Sequence, residues 1–328
     1  MKILVPLDGS VFSEAILGPV VQVAEAVDAE VHLLTVVEDP EKRNTWLEAF
    51  ARAGEGTEDI GIATPFPAQV SQPSESGVDT ESKGQALERA IHTAEEYLAQ
   101  IAGRFSPGRA KTKVITGEDT VGIILDFSLE QRVDLIAMST HGRSGLGRWV
   151  FGSTADKLLH SDSLSLLLIR PKDAGEAPKP IDTLIVPLDG SELAESALPY
   201  VENLAKQMAL KISLMRIVST PTLAYTGTEA YVYDPKIFSG LENDAVNYLR
   251  QKQTELEHKG FKVEHTVKGG YPADYIIDFA EAHEGSLIVM STHGRSGIGR
   301  WLMGSVADRV LRASYSPILL IRPQAEKA

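Results

Sequence analysis

Short apolar runs alternate along the chain with longer stretches in which apolar residues recur every three or four positions. Residues 2–7 and 30–37 are short runs rich in β-formers and predict strands, while residues 11–26 between them carry helical spacing. Leu87, Ile91, Ala94, Leu98 and Ile101 fall on one helical stripe. Further strands are predicted at 113–116, 133–138 and 164–169, then at 184–188, 211–218, 262–267, 287–290 and 317–321. Strands alternating with helices imply parallel sheets covered on both faces. The predicted class is α/β, with two Rossmann-like, doubly wound domains, each a five-stranded parallel sheet with helices on both faces.

The count of two follows from an internal repeat. Val5-Pro6-Leu7-Asp8-Gly9-Ser10 recurs as Val186-Pro187-Leu188-Asp189-Gly190-Ser191. Ser139-Thr140-His141-Gly142-Arg143-Ser144-Gly145 recurs as Ser291-Thr292-His293-Gly294-Arg295-Ser296-Gly297. Both copies run on through Gly-Arg-Trp to a Gly-Ser pair and end in an apolar strand closed by Ile-Arg-Pro. The expected organisation is a first domain over 1–171, a linker over 172–180 rich in Pro, Ala and charge, and a second domain over 181–328. From Asp8 to His141 the first copy is 29 residues longer than the second from Asp189 to His293. The excess lies around 53–83, rich in Gly, Pro, Ser, Thr and acid, and reads as a surface loop. Residues 220–240, with Tyr225, Tyr231 and Tyr233, hold the corresponding place.

Composition narrows the function. The 328 residues are 43% hydrophobic and 23% charged, as in an ordinary soluble protein, with a formal net charge of −13. That balance argues against nucleic acid and anionic membrane as partners, and any site for a polyanion must gather its positive potential locally. The absence of cysteine excludes disulfides and thiolate chemistry. The N-terminus lacks the pattern of a signal peptide, and no apolar run approaches the ~20 residues of a membrane span, so a cytoplasmic protein is expected.

In doubly wound sheets, ligands bind beyond the carboxyl ends of the strands, where strand order reverses. Asp8 closes the first strand and Ser139–Gly142 follows the fourth, so neighbouring strands would bring both motifs to one crevice. Asp8 can accept from a ribose hydroxyl or an adenine amine, or cap the helix that Gly9 and Ser10 lead into. Gly142 lets backbone N–H groups approach phosphate, or simply turns the chain. Gly152-Ser153 opens a helix whose free N–H donors and positive dipole end suit phosphate; Ser153 adds a hydroxyl donor or simply caps the helix. Nine residues separate Gly142 from Gly152, and nine separate Gly294 from Gly304. Arg143, Arg148, Arg295 and Arg300 gather positive charge there, to screen phosphate or to sit in solvent. Trp149 and Trp301 read as loop anchors. His141 and His293 lack a second ligand at metal spacing, so no protein-held metal is expected.

These residues resemble the universal stress protein family in its tandem-domain form. The resemblance covers almost the whole chain outside the long loop and the linker. It is carried by the family's ATP signature, Gly-x2-Gly-x9-Gly-Ser/Thr, onto which fall Ser139, Gly142, Gly152 and Ser153, then Ser291, Gly294, Gly304 and Ser305. Both copies depart from it by having Ser in place of the first glycine. The resemblance implies that Pro6, Leu7 and Asp8 flank adenine and ribose, with Val36 and Met138 as the apolar wall. The matching set is Pro187, Leu188, Asp189, Ile217 and Met290. Gly142, Gly152 and Ser153, like Gly294, Gly304 and Ser305, would receive phosphates.

The expected function is that of an ATP-binding regulatory or stress-response protein, with Mg²⁺ carried by the phosphates. There is no Gly-x4-Gly-Lys-Ser/Thr loop and no evident base aligned on a γ-phosphate. The alternatives are a slow ATPase or adenylate-transferring enzyme, and an interaction scaffold whose nucleotide site has lapsed. The two domains are expected to pair within the chain through their last strands, whose apolar edges need cover. Pairing between chains into a homo-oligomer is the contrary case.

Overall fold

A computed structural model describes residues 1–38, 83–140, 152–160, 164–171, 179–219, 235–292 and 303–322. Most of the 53–83 insertion, residues 172–178 of the linker and Tyr225, Tyr231 and Tyr233 lie outside the described residues. The chain divides into two compact units, one of Met1–Leu164 with Pro171–Ala177, the other of Ser165–Arg170 with Pro178–Ala328. Among the described residues, no helix is long and apolar enough to cross a membrane.

In the first unit β1 (Lys2–Pro6) lies parallel to both β2 (Glu30–Val37) and β4 (Leu135–Ser139), and β2 lies parallel to β3 (Ala110–Thr116). Ile3, Leu4 and Val5 are all fully buried, so successive side chains are covered on both faces of the sheet. The covering helices are α1 (Val11–Glu14), α2 (Leu17–Ala26), α3 (Lys83–Ala102), α4 (Thr120–Gln131) and α5 (Ser153–Leu159). Ala94, Leu98 and Ile101 of the predicted stripe are buried along α3.

The second unit repeats the plan. β6 (Thr183–Pro187) lies parallel to β7 (Lys211–Val218) and β9 (Ser286–Ser291); β7 pairs in parallel with β8 (Lys262–Gly269), and β9 with β10 (Ile318–Ile321). Its helices are α6 (Glu192–Glu195), α7 (Leu198–Met208), α8 (Pro235–His258), α9 (Pro272–Ala282) and α10 (Ser305–Ala313). The chain steps from β6 outward through β7 to β8, then returns to the other side of β6 for β9 and β10. Strand order therefore reverses between β6 and β9, which places a crevice beyond their carboxyl ends.

Two expectations need correction. The single helix over 11–26 is broken into α1 and α2, and its repeat into α6 and α7. Pro19 cannot donate to the Ala15 carbonyl and its ring crowds it; Pro199 does the same to Glu195. Residues 235–240, read as part of a loop, open α8 instead. Pro235 is tolerated in a first turn, where its missing N–H would have no helical partner.

β5 (Ser165–Ile169), encoded by the first repeat, clusters with the second unit and runs antiparallel to β10, with Leu167 opposite Leu319. Both leucines are buried. We propose that the first repeat lends this strand to the second within a single chain. Antiparallel partners lie about 4.5–5.5 Å apart at Cα, inside the span a disulfide bridges. In this cysteine-free chain, an oxidised Leu167→Cys/Leu319→Cys variant is expected to run as a crosslinked monomer on a non-reducing gel. A covalent dimer would show that the strands pair between chains.

Candidate functional site

The site begins where β6 ends. Leu188 N–H donates to the Met215 carbonyl at 2.8 Å, extending the ladder by one residue before the chain turns. Gly190 makes the turn at φ +86°, a conformation that favours glycine. Asp189 Oδ1 accepts from the Ser191 N–H at 2.9 Å and the Ser191 hydroxyl at 2.6 Å. Ser191 Oγ in turn accepts from the Ala194 N–H at 3.1 Å and caps α6. The first copy matches: Leu7 N–H to Leu34 O at 2.8 Å, Gly9 at φ +79°, Asp8 Oδ1 accepting from Ser10 N–H at 2.9 Å, and Ser10 Oγ from Ser13 N–H at 3.1 Å. The cap is thus the serine two residues on, and each aspartate braces the turn rather than the helix.

The facing wall starts at the end of β9. Ser291 closes the strand, and the Gly304 N–H donates to the Thr292 carbonyl at 2.9 Å. That bond holds the start of α10 against the end of β9. In the first copy, Gly152 N–H donates to Thr140 O at 2.9 Å and opens α5. Gly152 has φ −59°, open to most residues, so its conformation does not demand glycine. Its surroundings favour it, since an added Cβ would stand 3.0 Å from the Thr140 carbonyl oxygen, a tight contact that the strand end would have to yield to. Gly152 and Gly304 occupy the cap position and make no side-chain hydrogen bond to the helix. Ser153 and Ser305 are the first helical residues, not caps. Gly142, Gly294, His141, His293, the four motif arginines, Trp149 and Trp301 lie outside the described residues.

Between these walls the second copy encloses a cavity of about 270 Å³. Pro187, Leu188, Asp189, Ile217, Met290, Ser291, Gly304 and Ser305 all line it. Sequence reasoning missed Ala194, Met215, Pro272, Ile276, Thr292, Val306 and Ala307, which line it too. Part of that omission was avoidable. Met215 and Ile217 are two apart on β7 and share a face, as do Pro272 and Ile276, four apart on α9. In the first copy Pro6 ends β1 and Leu7 and Asp8 follow it, Val36 stands near the end of β2, Met138 and Ser139 end β4, and Gly152-Ser153 opens α5. The lining is apolar along the strands, with polar groups confined to the Asp189 turn, Ser291, Thr292 and the start of α10. Such a site suits a flat apolar ring joined to an anionic group. Among the described residues, no three His, Asp or Glu side chains are grouped to hold a metal ion.

A polar cluster ties α6, the short helix after the Asp189 turn, to α8. Glu195 accepts from the Tyr248 hydroxyl and the Lys252 ammonium, each at 2.8 Å. Partial burial pushes the Glu195 carboxyl upward, but hydrogen bonds from Lys252 and Tyr248 and the charge of Lys252 outweigh it, leaving the group below the usual carboxylate range. Burial, reinforced by Glu195, pushes the Tyr248 phenol well up; burial and Glu14 do the same to Tyr97 in the first copy. A carboxylate with a depressed pKa stabilises the fold above its unfolded value and ceases to do so as pH falls through its folded value. Glu195→Gln is therefore expected to cost about 1 kcal/mol near pH 7, a figure discounted for its partial exposure. Urea unfolding near pH 3 should show that gap closing. A gap that is unchanged at low pH would exclude an ionic role for Glu195.

Comparison with known proteins agrees with this architecture. The model of the universal stress protein family matches residues 48–170 and again 180–322. A universal stress protein of Methanocaldococcus jannaschii, MJ0531, is 30% identical over 139 residues, 42% of this chain and 81% of its own length. One from Mycolicibacterium smegmatis is 23% identical over 266 residues, 79% of this chain and 85% of the relative. The crystal structure of a universal stress protein from Archaeoglobus fulgidus superposes with a TM-score of 0.64 at 18% identity, covering 98% of both chains, a likeness of fold. Two successive matches to one family, on two copies of one βα plan, make this chain a tandem-domain member of the universal stress protein family.

Proposed function

We propose that each repeat is built to hold an adenine nucleotide, ATP foremost, and that the chain works as a nucleotide-binding regulatory or stress-response protein. The observation that carries this reading is the second-copy cavity, on which every described candidate residue of that copy converges. The base would lie against Ile217 and Met290, with the sugar beside Asp189. The phosphates would run along Gly304 and Ser305, where the first turn of α10 presents N–H donors and the positive end of the helix dipole. Mg²⁺ would be held by those phosphates and by water.

Two measurements test the reading. Gly152→Val together with Gly304→Val puts branched side chains at both helix starts. Calorimetric titration should then show ATP affinity falling by roughly tenfold or more, equivalent to about 1.4 kcal/mol. Unchanged affinity with an intact circular dichroism spectrum would remove these glycines from the site. Mg²⁺ titrated into nucleotide-free protein should give no tight binding, whereas with ATP present it should bind and strengthen the complex. Tight binding to the nucleotide-free chain would contradict a phosphate-held ion.

A further inference from the structure

The two repeats share their phosphate-loop charges. Residues 140–152 and 292–304 differ only at Leu146/Ile298, Val150/Leu302 and Phe151/Met303, all apolar exchanges. Around the site, however, matched positions carry different charges. Pro6 pairs with Leu34 and Pro187 with Met215, so the next residues of β2 and β7, Thr35 and Arg216, are structural equivalents. Thr35 is buried, and its hydroxyl donates to the Leu7 carbonyl at 3.0 Å. Arg216 instead brings a cation up to the Asp189–Gly190 turn. A Cβ on Gly190 would stand 3.1 Å from its Nη1, and its guanidinium rests 4.8 Å from the centre of the Tyr248 ring.

The second difference lies where the third strand of each repeat gives way to its helix. In the second copy this stretch is Gly270-Tyr271, followed by Pro272 on the cavity wall. In the first copy it is Glu118-Asp119, both exposed, with Asp119 capping α4 through the Gly122 N–H at 3.1 Å. One change runs the other way: Gly122 is matched by Asp274. That extra carboxylate is answered by Arg309 at 2.6 Å. Glu192, exposed at the start of α6, also runs the other way, since Val11 holds its place in α1. The remaining glutamates of these short helices do not distinguish the copies, since Glu14 pairs with Arg104 and Glu195 with Lys252.

We infer that the repeats are unequal sites and that the second binds an anionic nucleotide more tightly, with Arg216 raising its potential and Glu118 and Asp119 lowering that of the first. This rests on the nucleotide reading above. In a chain of net charge −13, a polyanion meets repulsion everywhere except where cations are gathered locally. A cation beside the Asp189 turn and the absence of two carboxylates at the mouth both act in the same direction, and together they outnumber the exposed Glu192 that opposes them. Neither needs to touch the ligand, because charges within about 8 Å are only partly screened at physiological salt.

Calorimetric titration of the full chain with ATP tests this. Two binding phases are expected, separated by roughly tenfold or more. Gly304→Val should remove the tighter phase and Gly152→Val the weaker. Charge variants give a test that does not depend on those glycines. Arg216→Thr, which installs the first repeat's residue, should weaken the tighter phase by about threefold, and Arg216→Lys should largely restore it. Glu118→Gln with Asp119→Asn should strengthen the weaker phase, and added salt should narrow the gap. Two equal phases, loss of the tighter phase in Gly152→Val, or indifference to all the charge variants would overturn the inference while leaving nucleotide binding standing. No ATP binding by the unaltered chain would overturn the nucleotide reading and the inference with it.

Discussion

The site depends on one backbone hydrogen bond, made twice: Gly152 N–H to the Thr140 carbonyl and Gly304 N–H to the Thr292 carbonyl, each at 2.9 Å. A strand end and a helix start separated by a dozen residues of chain are held in contact by it. The contact is close enough that a Cβ at Gly152 has no comfortable place. With that bond in place, the helix points its first-turn amide groups over the crevice left by the reversal of strand order between β6 and β9. The other wall is then supplied by whatever follows the neighbouring strand. Here it is the Asp-Gly-Ser turn, in which the aspartate braces the turn, the glycine takes the positive φ and the serine caps the short helix. Three consecutive residues each satisfy a different backbone requirement, so this motif recurs in both copies for structural reasons as well as for any contact with a ligand.

Behind the crevice, sheet and helices form a stiff frame. Strands such as β1 and β6 are covered on both faces, and their apolar residues are almost completely removed from water. Variation between the copies can be accommodated at positions that leave that packing intact. The Thr35–Arg216 exchange is one of these. The threonine satisfies its hydroxyl on the Leu7 carbonyl, whereas the arginine reaches past the turn and lays its guanidinium on Tyr248. A change of hydrogen-bonding partner in one strand thus becomes a change of electrostatic potential at the crevice end of the sheet.

Much of this was legible in the sequence because aliphatic runs of four to eight residues leave little ambiguity when they alternate with helical stripes. β2 and β7 fall at their predicted limits, and the others differ by one to three residues at their ends. The repeated motifs located the two walls of the crevice. Less legible were features set by local stereochemistry or by partners distant in sequence. Pro19 and Pro199 signal the helix breaks only once their i−4 carbonyls are considered. Asp8 followed by Gly9 and Ser10 offers two capping candidates, and only the hydrogen bond from Ser13 to Ser10 decides between them. Pro272 and Ile276 belong to a helix far along the chain from the motifs, and only the fold brings them to the cavity. Arg216 sits in an ordinary strand pattern, and its bearing on the site depends on the β6–β7 register.

The central claim is that the crevice of the second repeat receives an adenine nucleotide, base against the strand ends and phosphates at the helix start. A crystal structure of the chain grown with ATP tests it most directly. Density is expected for the base against Ile217 and Met290, for the ribose beside Asp189, and for phosphate against Gly304 and the N–H groups of Ser305 and Val306. An empty crevice at saturating ATP, or nucleotide bound with its phosphates away from the start of α10, would contradict it.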